Sequence, residues 1–249
     1  MKGYEKNNIT NLHKTKGGFM ESIKTKIKAI IFDMDGTILK TEHIWQQVTI
    51  GTLEKYGITE LSKEQEAVLL RLSGMGMKEA ATLIKNEFNL PSSIEEIFTL
   101  KLALANMHFE SALEYIDGFE TFHKLLITHN IPTGLATNAH PHNLSEITKT
   151  MNLKEKFGDH IYCIAHVNFV AKPSPALFLH TAEKLGVKPE ECLVFEDSVP
   201  GFKAAKAAGM KCIAIRNPYN RELFKEFTDH GIDSYDEAIE TIKKLFNIS

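Results

Sequence analysis

The chain has 249 residues, 43% of them hydrophobic and 24% charged, the composition of a soluble globular protein with room for one large domain or a core carrying an insertion. A net charge of −3, with lysines scattered rather than blocked, gives no electrostatic case for nucleic acid or an acidic membrane surface as a partner. No apolar stretch approaches the roughly 20 residues of a membrane-spanning helix, and Cys163, Cys192 and Cys212 are widely spaced and odd in number, two of them in apolar runs, so buried free thiols in a reducing, cytoplasmic setting are expected rather than a disulfide framework.

Residues 1–26 are polar and lysine-rich, without the apolar segment of a secretory signal, and read as a disordered extension in which Met20 is a second candidate start. Ala29-Ile30-Ile31-Phe32 follows, an unbroken apolar run that predicts a strand buried on both faces, as in a parallel sheet. At its carboxyl end stand Asp33-Met34-Asp35-Gly36-Thr37. Open α/β sheets place their ligands at that end of a strand. One carboxylate there can bind a metal and attack, a second can trade a proton with a leaving group, and Gly36 lets the backbone turn beside a ligand.

From about Thr41 to Leu113 the pattern is helical throughout. Val48–Tyr56, Glu64–Leu72, Lys78–Phe88 and Ile94–Met107 carry apolar residues at helical spacing, and Pro91-Ser92-Ser93 with Glu96 resembles a helix start. Four further strands are predicted at Thr133–Ala136, Ile161–Ile164, Leu193–Phe195 and Cys212–Ile215. Between them lie helical patterns such as Leu144–Met151, Ala176–Leu185 and Phe202–Ala208, and this alternation implies a parallel sheet. The fold class read from the pattern is α/β, with an all-helical block inserted into it as a second small domain.

The later strand ends carry chemistry as well. Thr137 and Asn138 offer a hydroxyl and an amide, either to a phosphate oxygen or as a helix cap. Lys172-Pro173 offers a point charge on a stiffened loop. Glu196-Asp197-Ser198 forms either a hard-cation site or the cap of the next helix. Taken together, these are the charge types that phosphoryl transfer uses. His140-Pro141-His142 reads as a loop or helix start rather than a metal site.

In type and order, Asp33-Met34-Asp35-Gly36-Thr37, Thr137, Lys172-Pro173 and Glu196-Asp197 resemble the four motifs of the haloacid dehalogenase-like superfamily. Phe195 to Gly201 and Ala204 to Met210 look like its β-phosphoglucomutase and pseudouridine-5′-phosphatase-like branch. The resemblance covers roughly Lys28 to the C-terminus. It implies a Rossmann-like parallel core (27–40 and 115–249) beneath a helical cap (41–114). It further implies Asp33 as a nucleophile forming an aspartyl-phosphate and Asp35 as the acid/base. Mg²⁺ would be held by the Asp33 and Asp197 carboxylates and the Asp35 carbonyl. Glu196 would be a further ligand or a supporting acceptor. Thr137, Asn138 and Lys172 would bind the phosphoryl group.

The chain departs from the mutases of that branch in its cap. Trp45 stands where they carry a histidine. The loop Leu72-Ser73-Gly74-Met75-Gly76-Met77-Lys78 has Ser73 in place of a lysine and Met77 near an expected arginine. Lys40 replaces an acid, and Ala171 a glycine. A mutase must hold a second phosphate with fixed cations. The expected function is therefore Mg²⁺-dependent hydrolysis of a small phosphate monoester, a sugar, polyol or nucleotide phosphate, by a monomeric enzyme, with bisphosphates as poor substrates. A sugar-phosphate mutase and a non-catalytic binding protein on the same fold are the alternatives. Trp45 reads as a stacking platform or as cap–core packing, and Met75 and Met77 as an apolar substrate wall or as cap interior.

Overall fold

The computed structural model describes residues 27–109, 113–218, 220, 223–228 and 230–248; the extension expected at 1–26 lies outside the described residues. Strand β1 (Ala29–Phe32) is followed by four helices, α1 (Glu42–Glu54), α2 (Lys63–Leu70), α3 (Met77–Glu87) and α4 (Ile94–Phe109). The chain then runs through α5 (Phe119–Thr128), β2 (Thr133–Thr137), α6 (Pro141–Thr150), α7 (Leu153–Phe157), β3 (Ile161–Cys163) and α8 (Ala176–Lys184). It ends with β4 (Cys192–Glu196), α9 (Val199–Ala207), β5 (Lys211–Ile215), β6 (His230–Ile232) and α10 (Tyr235–Phe246).

All strand pairs are parallel and the order is β3-β2-β1-β4-β5-β6. β1 therefore lies in the middle, with Ile31 opposite Gly134 of β2 and Val194 of β4. Chain progression reverses between β1 and β4, the switch point where such sheets open a crevice. Each predicted strand is present to within a residue. Ile164 instead begins a 3-10 turn, and β6 is an edge strand that the sequence pattern did not announce.

The period of two along each strand sorts the core into two layers. Ile30, Phe32, Leu193, Phe195, Ile213 and Ile215 face α5, α7 and α10. Ile31, Ala136, Val194 and Ala214 face α8 and α9. In the first layer Phe32 stacks on Phe195 at 5.3 Å and meets Phe119 edge-on at 5.6 Å. Burying each such ring stabilises the fold by roughly 1.5–3 kcal/mol. This layer supports the strand end that carries Asp33.

The inserted helices have a small core of their own, built from Leu53, Val68, Ala81, Ile84, Phe88, Leu90 and Ile97. That separate core makes the insertion a cap domain. Ile44 and Val48 of α1, with Ala105 and Phe109 of α4, instead join the main core and anchor the cap at its base. α2 starts with a capping box between Ser62 and Gln65, and Ser93 and Glu96 exchange bonds at the start of α4.

The two segments joining cap to core run antiparallel. Lys40 N–H donates to the Glu114 carbonyl and Ile116 N–H to the Ile38 carbonyl, each at 2.9 Å. Lys40 also pairs with Asp117 at 2.8 Å and Glu114 at 3.6 Å across these segments. The cation that departs from the family pattern thus meets acids on the return segment.

Candidate active site

β1 delivers Asp33 to the switch point, and its amide continues the ladder by donating to the Phe195 carbonyl at 3.0 Å. The chain then turns sharply through Gly36, whose φ is +72°. A Cβ on Gly36 would collide with the Asp197 carboxylate, so glycine is required both by the backbone and by the approach of β4's acid. The turn is tied down from below, where the Tyr235 hydroxyl donates to the Thr37 carbonyl at 3.1 Å.

Lys172 is the centre of the site. It is buried, and its Nζ contacts Asp33 Oδ1 at 2.5 Å and Glu196 Oε2 at 2.8 Å. Burial alone would lower its pKa, but the Asp33 and Glu196 carboxylates outweigh that effect and hold it above the usual lysine range. The other Glu196 oxygen, Oε1, accepts from Ser198 Oγ at 2.9 Å and from the Asp197 and Ser198 amides at 3.1 Å. Glu196 is therefore committed on both oxygens to holding Lys172 and the start of α9. Gly201 permits this, since a Cβ there would overlap the Glu196 carboxylate.

Asp197 accepts from Thr37 Oγ1 at 3.3 Å and from Asn217 Nδ2 at 3.0 Å, while Asn220 Nδ2 donates to its carbonyl at 2.6 Å. Carboxylate oxygens of Asp33, Glu196 and Asp197 all lie within 4.8 Å of one another. Burial, then the Glu196 charge, pushes Asp33 well above the usual carboxylate range against the pull of Lys172. Asp197 is pushed up by burial and by Glu196 and Asp33. These are crowded anions with too little positive charge around them.

Asp35 is also shifted upward, by burial, with a hydrogen bond from Trp45 opposing. Trp45 Nε1 donates to Asp35 Oδ1 at 2.9 Å, and its ring meets Phe109 edge-on at 5.6 Å. The single tryptophan is thus packed at the cap base and bonded to the second acid of the first motif, a contact that the sequence did not disclose.

Thr137 ends β2, where its Oγ1 accepts from the Ala139 amide at 3.0 Å. Asn138 Oδ1 accepts from the Lys172 amide at 2.9 Å, and its Nδ2 donates to the Gly74 carbonyl of the cap loop at 3.0 Å. Asn138 therefore links two core loops to the cap. A Cβ on Gly74 would run into Ser198, which again marks a close cap–core approach. His140 caps α6 by accepting from the His142 amide at 3.4 Å, so the His-Pro-His segment is a helix start. The three cysteines are free and buried.

A cavity of about 330 Å³ lies between these groups and the cap. Asp33, Asp35, Thr137, Asn138, Lys172 and Asp197 all line its core side. On the cap side it is lined by Trp45, Ser73, Met75 and Met77 and by one cation, Lys101 of α4. Lys78 is exposed and is not part of the wall. Lys101 was missed from the sequence, although the signal exists. Ile97, Lys101, Ala105 and Phe109, each four residues on, form the buried stripe of α4, and a lysine there breaks an apolar row.

An acid cluster with its lysine stands on a parallel α/β sheet beneath an inserted helical lid. The chain belongs to the haloacid dehalogenase-like hydrolase family, whose model matches residues 27–209. The "Probable pseudouridine-5′-phosphatase" of Drosophila melanogaster is 33% identical over 83% of this chain and 87% of its own length. The bifunctional riboflavin kinase/FMN phosphatase of Arabidopsis thaliana is 32% identical over 78% of this chain, but this chain spans only 50% of that longer protein. Among solved structures, CbbY from Rhodobacter sphaeroides in complex with phosphate aligns with a TM-score of 0.73 at 26% identity, covering 85% of this chain and 96% of that one.

Proposed function

We propose that this protein is a Mg²⁺-dependent phosphatase that hydrolyses small phosphate monoesters in two steps on Asp33. The observation that carries the reading is the Lys172 ammonium, buried between Asp33 and Glu196 on the core side of the capped cavity. Asp33 attacks phosphorus, and the departing ester oxygen takes its proton from Asp35, giving the aspartyl-phosphate and the free alcohol. Asp35 then takes a proton from water, which attacks phosphorus, releases phosphate and restores the Asp33 carboxylate. The upward shift of Asp35 suits the first of these tasks, because the acid must hold a proton near neutral pH. Thr137 and Lys172 hold the equatorial phosphoryl oxygens, and Asn138 keeps Lys172 and the cap loop in register.

The donor set fits Mg²⁺. Asp33 and Asp197 would supply carboxylate oxygens and Asp35 its carbonyl, all hard ligands, and burial first, then the neighbouring acids, raises the pKa of both carboxylates. Bound there, the cation offsets the repulsion between a carboxylate and a phosphoryl dianion. Activity is expected to vanish on chelation and to return with added Mg²⁺. Full turnover in metal-free buffer would exclude this site chemistry.

The test of the function is a panel of phosphate monoesters offered to the purified protein with Mg²⁺, scored by released phosphate. Asp35→Asn separates the two steps. With p-nitrophenyl phosphate, whose leaving group needs little protonation, the variant should release a burst of p-nitrophenolate approaching one equivalent and then turn over slowly. On an alkyl phosphate it should lose at least about 10²-fold. Wild-type rates on the alkyl ester would remove the acid/base role. The buried free cysteines support placing this activity in the reducing cytoplasm. Among the described residues no helix is long and apolar enough to cross a membrane.

A further inference from the structure

Lys101 lines the cavity beneath the cap, yet it is only 2% exposed. It has one hydrogen-bond partner among the described residues, Thr49 Oγ1 on α1 at 3.3 Å, and no carboxylate pairs with it. The acids sharing the cavity wall outside the catalytic cluster are Glu42 and Glu66, and neither forms an ion pair with it. Burial without a counter-charge lowers its pKa to about 8. A desolvated, uncompensated charge is costly to hold in a fold. A helix that needed only packing at this position would be better served by an apolar residue, as at Ile97 and Ala105 of the same stripe.

We propose that Lys101 is the specificity-determining residue of the cap and binds a carboxylate that the substrate carries at the end remote from its phosphate. This rests on the phosphatase reading above and names its substrate class: the phosphate monoester of a small hydroxy acid. One ammonium matches a singly charged carboxylate. A second phosphate, with its greater charge, calls for several donors or cations, and among the described residues the cap wall has no other lysine or arginine. A neutral polyol would need no buried charge at all.

The test uses a matched pair of esters, an aldonic acid 6-phosphate and the corresponding alditol 6-phosphate, which differ only in a terminal carboxylate or hydroxymethyl group. The wild-type enzyme should favour the acid in kcat/KM. Lys101→Gln should lower the acid-to-alditol ratio at least about tenfold, chiefly through KM, and Lys101→Arg should retain most of it. A Lys101→Gln variant that melts like the wild type and loses both esters equally would overturn the proposal, as would a wild-type preference for the alditol or for a bisphosphate. Should Lys101→Gln fail to fold, Lys101→Met and Lys101→Arg give the same comparison. Failure of the phosphatase reading would look different, as no turnover of either ester or of p-nitrophenyl phosphate. Calorimetric affinity of the wild-type and Lys101→Gln proteins for the two esters then decides the proposal. Selective loss of affinity for the acid ester supports it, and equal affinities overturn it.

Discussion

Replacing Asp33 by asparagine is expected to reduce turnover of every phosphate ester by at least about 10³-fold, the scale of removing a covalent nucleophile. The amide is nearly isosteric but cannot displace a leaving group at phosphorus. The fold should survive, for a reason visible in the site. Asp33 is one of several acids crowded round a single lysine, and Lys172 keeps its 2.8 Å contact with Glu196. Removing one crowded charge relieves repulsion with Glu196 and Asp197, so the melting temperature should hold or rise slightly. A variant with near-normal kcat, measured alongside a melting curve, would show that the nucleophile lies elsewhere.

Lys172→Met is expected to fail in both respects. The Lys172 and Glu196 side chains are each 1% exposed and that of Asp33 is 9% exposed, so deleting the ammonium leaves carboxylates buried without a counter-charge. Breaking a buried pair from one side typically costs about 3–5 kcal/mol, which for a chain of this size lowers the melting temperature by roughly 10 °C. Activity falls too, because nothing then offsets the charge on the transferring phosphoryl group. The double variant Lys172→Met with Glu196→Gln divides the two effects. It removes one orphaned charge and should recover part of the stability, with no recovery of turnover. Restored turnover in the double variant would reduce Lys172 to a structural counter-ion.

Much of this was legible in the chain because it is local. Four-residue apolar runs such as Ala29–Phe32 admit few structures besides a buried strand, and the acid, hydroxyl and lysine positions follow strand ends whose location the runs fix. The helical insertion was legible for the same reason, as an unbroken stretch of 3.6-residue periodicity. β6 escaped notice since His230-Gly231-Ile232 is short and half polar, and an edge position makes few demands on sequence. Lys40 read only as a departure from pattern; its partners, Glu114 and Asp117, lie on the far side of the insertion.

By itself the sequence determined the parallel α/β core, the inserted cap and the set of chemical groups at the strand ends. Tertiary structure alone decided how those groups are paired. Glu196 could be read as a metal ligand or as a supporting acceptor, and only the fold shows its two oxygens holding Lys172 and the start of α9. Trp45 could be read as a stacking platform or as cap–core packing, and only the fold puts its indole N–H on Asp35 and its ring against Phe109. Lys101 carried no motif, and only the docking of α4 against α1 turns it from a lysine in a helix into a buried residue of the cavity wall. The division has a physical cause. Periodicity and strand-end position are set by neighbours in the chain, whereas desolvation and charge pairing depend on residues brought together from distant segments.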